Sequence, residues 1–395
     1  MKTLKVSQGL LPSVIHIPPS KSYANRALIL ASISSKNILI KNMPKANDVT
    51  FLMSALKKIG LEIKEDKDTV RIHNSFPLCE ILNGSVIEIG EGGTTARFLA
   101  SMLILGSQPY TLILGERLKD RPWKEFILLA HKLGAQAELQ GNQLTLQGPI
   151  KQVDSVEIDC SETTQFASGM QLALAFTQTK VTPLNLKSSE SYWEMTKAMI
   201  EELRLKDEFF VPMDWSSASY PLAFGVLRQN IFFPGLKYDP FQADAKMFFI
   251  LNQLGAIQET PEGLRVKPSL TQKDFSLDVS DCLDLVPALA FLLAHIDGTH
   301  KLSGIKNLVH KESNRLEEVI KLLEEFGFKS SSDGFVLHIE GSHSLRGVSA
   351  DLQLPDDHRM VMTGAMFLRY HQGGSVTPSS AVDKSYPDFF KLFGA

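Results

Sequence analysis

Apolar and polar positions along this chain follow two alternating rhythms. In the first, an amphipathic helix ends at a glycine, a strand follows, and a tight turn leads into a second strand. Four segments share it: ALKKIGLEIKEDKDTVRIH, LAHKLGAQAELQGNQLTLQG, LNQLGAIQETPEGLRVKP and LLEEFGFKSSSDGFVLHIEG. Their glycines Gly60, Gly134, Gly255 and Gly327 suit the left-handed position just past a helix end. The turn pairs GN, EG and DG, followed by alternation such as Leu144, Leu146 and Phe335, Leu337, predict hairpins with one buried face.

The second rhythm is a helix with small and apolar residues on every side: TTARFLASMLIL, QFASGMQLALAF, SASYPLAFGVL and LVPALAFLLAH. Such helices belong inside a domain. Buried helix, amphipathic helix and mixed strands make a unit repeated about six times, so the chain is expected to be α/β (α+β) with two similar domains of about three units each. At 395 residues it also exceeds one ordinary core. The unit at 192–214 is shortened, because EMTKAMIEELRL runs almost directly into FFVPMD with no room for a hairpin. Asp48 is expected to cap the first amphipathic helix, Pro122 to occupy the first turn of the second, and Asp244 to open the third. The fourth is expected to start around HKESNR.

Composition narrows function by exclusion. A formal net charge of −3 argues against nucleic-acid binding through bulk electrostatics. Cys79, Cys160 and Cys282 are odd in number, far apart and form no CxxC pair, which fits a reducing cytoplasm. The N-terminal MKTLKVSQGLLPSVIHIPPS has no apolar signal core, and LVPALAFLLA is about half the length needed to span a bilayer. A soluble protein without membrane or nucleic-acid partners is expected.

Candidate chemistry gathers at helix starts. In PPSKSYANRALIL, Ser20 or Ser22 can cap a helix beginning near Tyr23, with Lys21 before it and Arg26 one turn after Ser22. A helix N-terminus with two cations favours an anion, although a capped surface helix would read the same way. GEGGTTAR at 90–97 brings glycines that let backbone approach a ligand, and Arg97 lies in an otherwise apolar helix, where a guanidinium needs partners. LKDRPW, SETTQF, HKESNR and PDDHR repeat the pattern, with Asp284, Glu312 and Asp357 available for proton transfer. The histidines show no metal-ligand spacing, and neither GxSxG nor a Cys–His signature suggests a covalent nucleophile. No metal or cofactor is expected.

Taken in order, these segments resemble the enolpyruvyl transferase family, specifically its 5-enolpyruvylshikimate-3-phosphate synthases. The resemblance is carried by PPSKSYANRALIL, GEGGTTARFLA, LKDRPW, TTQFASGMQLALA, WSSASYPLA, LDLVPALA, VHKESNRLEE, DDHRMVM and DKSYPDFF, spanning residues 18 to 390. It implies two domains of three βαβαββ repeats, the inside-out barrel of that family. The first domain would comprise 1–18 with 214–395, and the second 19–213, with the active site in a cleft between them that closes on substrate. The implied activity transfers the enolpyruvyl group of phosphoenolpyruvate to the 5-hydroxyl of shikimate 3-phosphate in a cytoplasmic monomer.

Residue by residue, the resemblance implies a shikimate 3-phosphate site from Ser22, Arg26, Thr163, Thr164, Ser189, Tyr192, Asp284, Asn307 and Lys311. Phosphoenolpyruvate would be held by Lys21, Gly93, Arg121, Gln165, Arg315, Arg359 and Lys384. Asp284 would take the hydroxyl proton, and Glu312 or Lys21 would protonate C3. Glu91 departs from the family's usual Asn and is expected to repel the substrate carboxylate unless neutralised or turned away. Thr163-Thr164 replaces a Ser-Ser pair. The related UDP-N-acetylglucosamine transferases carry a cysteine where LKDRPW stands and lack the Ser and Arg of KSYANR. A non-catalytic relative would not need Lys21, Asp284, Glu312, Arg315, Arg359 and Lys384 together.

Overall fold

The computed structural model describes residues 2–186, 189–269, 273–343 and 347–394. The chain divides into two compact units, Met1–Pro18 with Met213–Ala395, and Pro19–Pro212. Among the described residues each contains three small sheets and three buried helices.

In unit 19–212 the buried helices are Lys21–Ile33, Gly93–Leu103 and Gln165–Ala173, which pack on one another. Small residues set their spacing: a Cβ on Gly169 would come within 2.5 Å of Ser101 Oγ. Amphipathic helices Asn47–Lys58, Lys124–Lys132 and Glu190–Leu205 lie outside them with mixed faces. The other unit repeats the plan with buried helices Trp215–Arg228, Val286–Ala294 and His358–Tyr370 and amphipathic helices Lys246–Gln253 and Arg315–Glu325. Apolar side chains such as Leu28, Leu99, Leu222 and Leu289 are fully buried, each contributing ~1.5–3 kcal/mol relative to exposure.

The four hairpins expected from the alternation are present. Ile63–Asp66 pairs with Thr69–Ile72, Gln136–Gln140 with Gln143–Gln147, Ile257–Thr260 with Gly263–Val266, and Lys329–Ser332 with Val336–Gly341. The glycines ending the preceding helices all have positive φ, from 63° at Gly255 to 104° at Gly60. A parallel strand completes the larger sheets, as where Ser85–Gly90 pairs with Tyr110–Leu114 and Tyr110–Leu114 with Gln143–Gln147.

The shortened unit has a structural reason. Glu208–Phe210 forms no hairpin; it pairs in parallel with Leu39–Lys41 and completes the first sheet of its own unit. Among the described residues the third sheet there consists of Ser155–Asp159 and Lys180–Leu184. In the other unit Leu4–Val6 pairs with Gly374–Thr377, so the chain's start finishes the sheet formed near its end.

Three helix starts differ from expectation. Lys21 is the first helical residue and Ser20 holds the cap position without a side-chain cap bond. Asp48 lies inside the first turn behind Ala46 at the cap, because its carboxylate is taken by Lys21. Pro122 precedes the cap residue Trp123 and gives its carbonyl to Arg97. Asp244 does open its helix, within the 3-10 turn Ala243–Ala245, and HKESNR leads into Arg315–Glu325 with Asn314 accepting from the Glu317 amide. Among the described residues no helix is long and apolar enough to cross a membrane.

Candidate active site

The repeat brings helix N-termini together within each unit, and the candidate residues sit on them. In unit 19–212 the three buried helices begin at Lys21, Gly93 and Gln165. Lys21 Nζ donates to Asp48 Oδ2 at 2.8 Å, and Gly92 leaves room for that carboxylate, since a Cβ there would come within 2.8 Å of Asp48 Oδ1. Arg121 folds against Gly93: a Cβ on Gly93 would lie 2.7 Å from its Nη1. Gln165 donates from Nε2 to Thr94 Oγ1 at 3.0 Å and accepts at Oε1 from Arg97 Nη1 at 2.6 Å. Convergent amide dipoles and cations of this kind favour anions.

Arg97 explains how a guanidinium lives in an apolar helix. It is 1% exposed, donates to Gln165 and to the Pro122 carbonyl, and stacks 5.0 Å from the Phe166 ring and 5.6 Å from Trp123. Burial, and then the neighbouring charge of Arg121, hold its pKa well below the ordinary value. Arg26 is similarly framed: Nε donates to Thr196 Oγ1, Nη1 to the Ser22 carbonyl and Nη2 to the Tyr192 carbonyl, between the rings of Phe98 and Tyr192. Burial lowers its pKa to about 10. Thr163 accepts the Gln165 amide at 3.3 Å, and Thr164, buried, occupies the cap position without a side-chain cap bond. Ser189 precedes Glu190–Leu205 in the left-handed conformation, φ 58°.

The other unit builds a denser, acid-rich cluster. Asp284, in the 3-10 turn ahead of Val286–Ala294, accepts at Oδ1 from Arg315 Nη1 at 2.5 Å and at Oδ2 from Arg359 Nη2 at 3.2 Å. Lys311 Nζ lies 3.4 Å from Oδ1. Burial opposes the charge, but Arg359, Lys311 and Arg315 outweigh it and hold Asp284 well below the usual carboxylate range. Glu312 accepts from His358 Nδ1 at 2.8 Å and Lys384 Nζ at 3.0 Å. It too is held well below its ordinary pKa, since His358, Lys384 and Arg315 outweigh burial.

Asp357 ties the cluster to the scaffold. It is fully buried, caps His358–Tyr370 by accepting from the Arg359 amide, and receives Arg315 Nε at 2.7 Å and Nη2 at 3.2 Å. Ser313 Oγ adds a bond at 2.9 Å. Read from the sequence as available for proton transfer, it has both oxygens saturated by donors, the arrangement of a brace. Arg315 begins its helix 1% exposed; burial is outweighed by Asp357, Asp284 and Glu312, which raise its pKa above the ordinary value. Asn307, on the 3-10 turn Lys306–His310, is half-buried and among the described residues has no side-chain bond to this cluster.

Sequence reasoning missed three members. Asp48 was legible only as a helix cap, His358 only as part of PDDHR, and Asp244 only as a helix opener. Asp244 is buried, takes the Ser216 hydroxyl on Oδ2, and among the described residues has no hydrogen-bond partner on Oδ1. Burial pushes its pKa up to about 7, against the pull of Arg359 and with help from Asp284. Ligand-type atoms of Glu312, Asp357 and His358 also gather within 4.8 Å, which linear spacing did not reveal. Arg315 and Lys384 lie directly on those carboxylates and compete with any metal cation there.

The EPSP synthase (3-phosphoshikimate 1-carboxyvinyltransferase) family model matches residues 7–206 and 201–393. A 3-phosphoshikimate 1-carboxyvinyltransferase of Clostridium novyi is 27% identical, covering 100% of this chain and 97% of the relative. Its counterpart in Pyrococcus abyssi is 28% identical over 95% and 93%. Among solved structures, EPSP synthase from Acinetobacter baumannii superposes with a TM-score of 0.80 at 20% identity, covering 100% of this chain and 98% of that one. The enolpyruvyl transferase NikO from Streptomyces tendae gives 0.78 at 14% identity over 99% and 96%. These two likenesses establish the fold, a mixed α/β enolpyruvyl transferase fold, and with the family model spanning both units the chain belongs to the EPSP synthase (3-phosphoshikimate 1-carboxyvinyltransferase) family.

Proposed function

We propose that this chain transfers the enolpyruvyl group of phosphoenolpyruvate to the 5-hydroxyl of shikimate 3-phosphate and releases phosphate, with Asp284 as the base. The observation that carries this role is the Asp284 carboxylate itself, half-buried and ringed by Arg315, Arg359 and Lys311. Phosphoenolpyruvate is assigned to Lys21, Gly93, Arg121, Gln165, Arg315, Arg359 and Lys384. Shikimate 3-phosphate is assigned to Ser22, Arg26, Thr163, Thr164, Ser189, Tyr192, Asp284, Asn307 and Lys311. The substrates together carry about five negative charges, and guanidinium and ammonium groups at helix N-termini match them.

At rest Asp284 is an anion and a weak base, because three cations stabilise its charge. Anionic substrates compete for those same cations. Losing part of their field raises the affinity of Asp284 for a proton at the moment the 5-hydroxyl must lose one. The hydroxyl oxygen then bonds to C2 while C3 gains a proton from Lys21, or from Glu312 once substrate anions have drawn its cations away and it has taken up a proton from solvent. The resulting tetrahedral intermediate expels phosphate as C3 gives the proton back, which restores the double bond. The surrounding cations stabilise the charge that develops. No cofactor enters these steps.

We read the chain as a cytoplasmic monomer. Its three cysteines are free thiols, which suits a reducing compartment.

The deciding measurement is phosphate release from phosphoenolpyruvate with shikimate 3-phosphate and, separately, with UDP-N-acetylglucosamine. Release with the first alone is expected. Release only with the second, or with neither, overturns the reading. Light scattering on the purified chain tests the monomer.

A further inference from the structure

Glu91 stands between the end of strand Ser85–Gly90 and the two glycines that open helix Gly93–Leu103. A carboxylate so close to residues assigned to an anionic substrate is expected to repel it. Its contacts give it a different task. Oε1 accepts the backbone N–H of Arg117 at 3.3 Å, and Oε2 accepts that of Leu118 at 3.1 Å. Gly115 makes the approach possible, since a Cβ there would come within 2.3 Å of the Glu91 carboxyl carbon. The Gly115 amide in turn donates to the Gly90 carbonyl at 3.0 Å. Residues 115–121 are therefore held to 90–93 by the main chain at one end and by a side chain further along.

The side-chain tether falls on the residue that organises the rest of the segment. Leu118 is fully buried, and its carbonyl accepts the Trp123 indole N–H at 3.0 Å and the Arg121 amide at 3.3 Å. Where Leu118 sits fixes where Arg121 departs from the chain, and Arg121 ends against Gly93. We propose that Glu91 is a positioning residue that anchors the 115–121 segment and so sets the reach of Arg121. Its charge is directed at two amide donors, an arrangement in which a carboxylate binds strongly.

The consequence for turnover rests on the assignment of Arg121 to phosphoenolpyruvate, whereas the tether can be measured without any substrate. Glu91→Ala is expected to raise KM for phosphoenolpyruvate by ~10-fold, the scale of one lost charge-assisted hydrogen bond, while KM for shikimate 3-phosphate changes less than about twofold. Glu91→Gln keeps an acceptor at the same length and is expected to recover most of the difference. Amide hydrogen exchange at Arg117 and Leu118 is expected to speed up in Glu91→Ala and less so in Glu91→Gln. An unchanged or lower KM for phosphoenolpyruvate in Glu91→Ala, or unchanged exchange at both amides, overturns the proposal. If Glu91→Ala fails to fold, the exchange and KM values of Glu91→Gln decide between the same outcomes. A wild-type chain that releases no phosphate counts against the enzymatic reading, and the exchange rates then judge the tether alone.

Discussion

The two units use one architectural plan to hold charge in opposite ways. In unit 19–212 the buried guanidiniums of Arg26 and Arg97 are held by carbonyls, hydroxyls, an amide side chain and aromatic faces. In the other unit Arg315, Arg359, Lys311 and Lys384 are held by Asp284, Glu312 and Asp357. Neutral partners leave a net positive charge in place, which attracts anions but offers no acid or base. Carboxylate partners cancel the charge until a competing anion arrives, and the carboxylates so released can then move protons. In the proposed reaction this difference puts the base Asp284 in the carboxylate-rich unit, while the buried guanidiniums of the other unit only hold anions.

Removing the base should break this contrast most severely. Asp284→Asn keeps the shape and loses proton acceptance, so kcat is expected to fall by ~10²–10⁴ with shikimate 3-phosphate binding largely retained. Near-normal turnover would deny Asp284 its role. The next largest effect is on stability. Asp357→Ala leaves Arg315 buried without its brace and is expected to cost ~3–5 kcal/mol in denaturant unfolding. The matching change in the other unit, Asp48→Ala, removes the partner of a Lys21 that stays near solvent, and about 1 kcal/mol is expected. Equal losses at the two sites would show that the clusters do not differ in the way described.

A further test sharpens the comparison through pH. The Asp244 carboxyl has an ordinary pKa of 3.8 and is pushed up to about 7 in the folded chain. Between those values the folded state holds a proton that the unfolded state lacks. Its contribution to stability is therefore full below 3.8 and is lost as pH rises through about 7. Asp244→Asn should remove that slope, so its melting advantage over wild type grows from about pH 5 to about pH 8. A constant difference between the two melting curves would show that Asp244 does not titrate there.

Much of the fold was legible because it rests on local chemistry. Glycines that only a left-handed turn requires, hairpin pairs and uniformly apolar helices mark the repeat along the sequence itself. Gly60, Gly134, Gly255 and Gly327 all have the positive φ expected. The helix starts were less legible: Asp48 and Pro122 follow the statistics of caps, yet tertiary partners claimed both. Site residues in recurrent motifs could be named from sequence, but their partners could not. Nothing in PDDHR distinguishes Asp357 as a saturated brace from His358 as a neighbour of Glu312.

The sequence by itself determined the repeat, the buried helices, the family and the residue types gathered at helix starts, because periodicity, turn chemistry and ordered motifs are written along one dimension. Only the tertiary structure decided that Glu208–Phe210 closes a sheet with Leu39–Lys41, that Glu91 turns to two amides, and which cations each carboxylate faces. Those outcomes depend on distances between residues far apart in the chain. Coulomb energies, desolvation and hydrogen bonds act over a few ångströms in space, so such pairings are settled by packing rather than by neighbours in sequence.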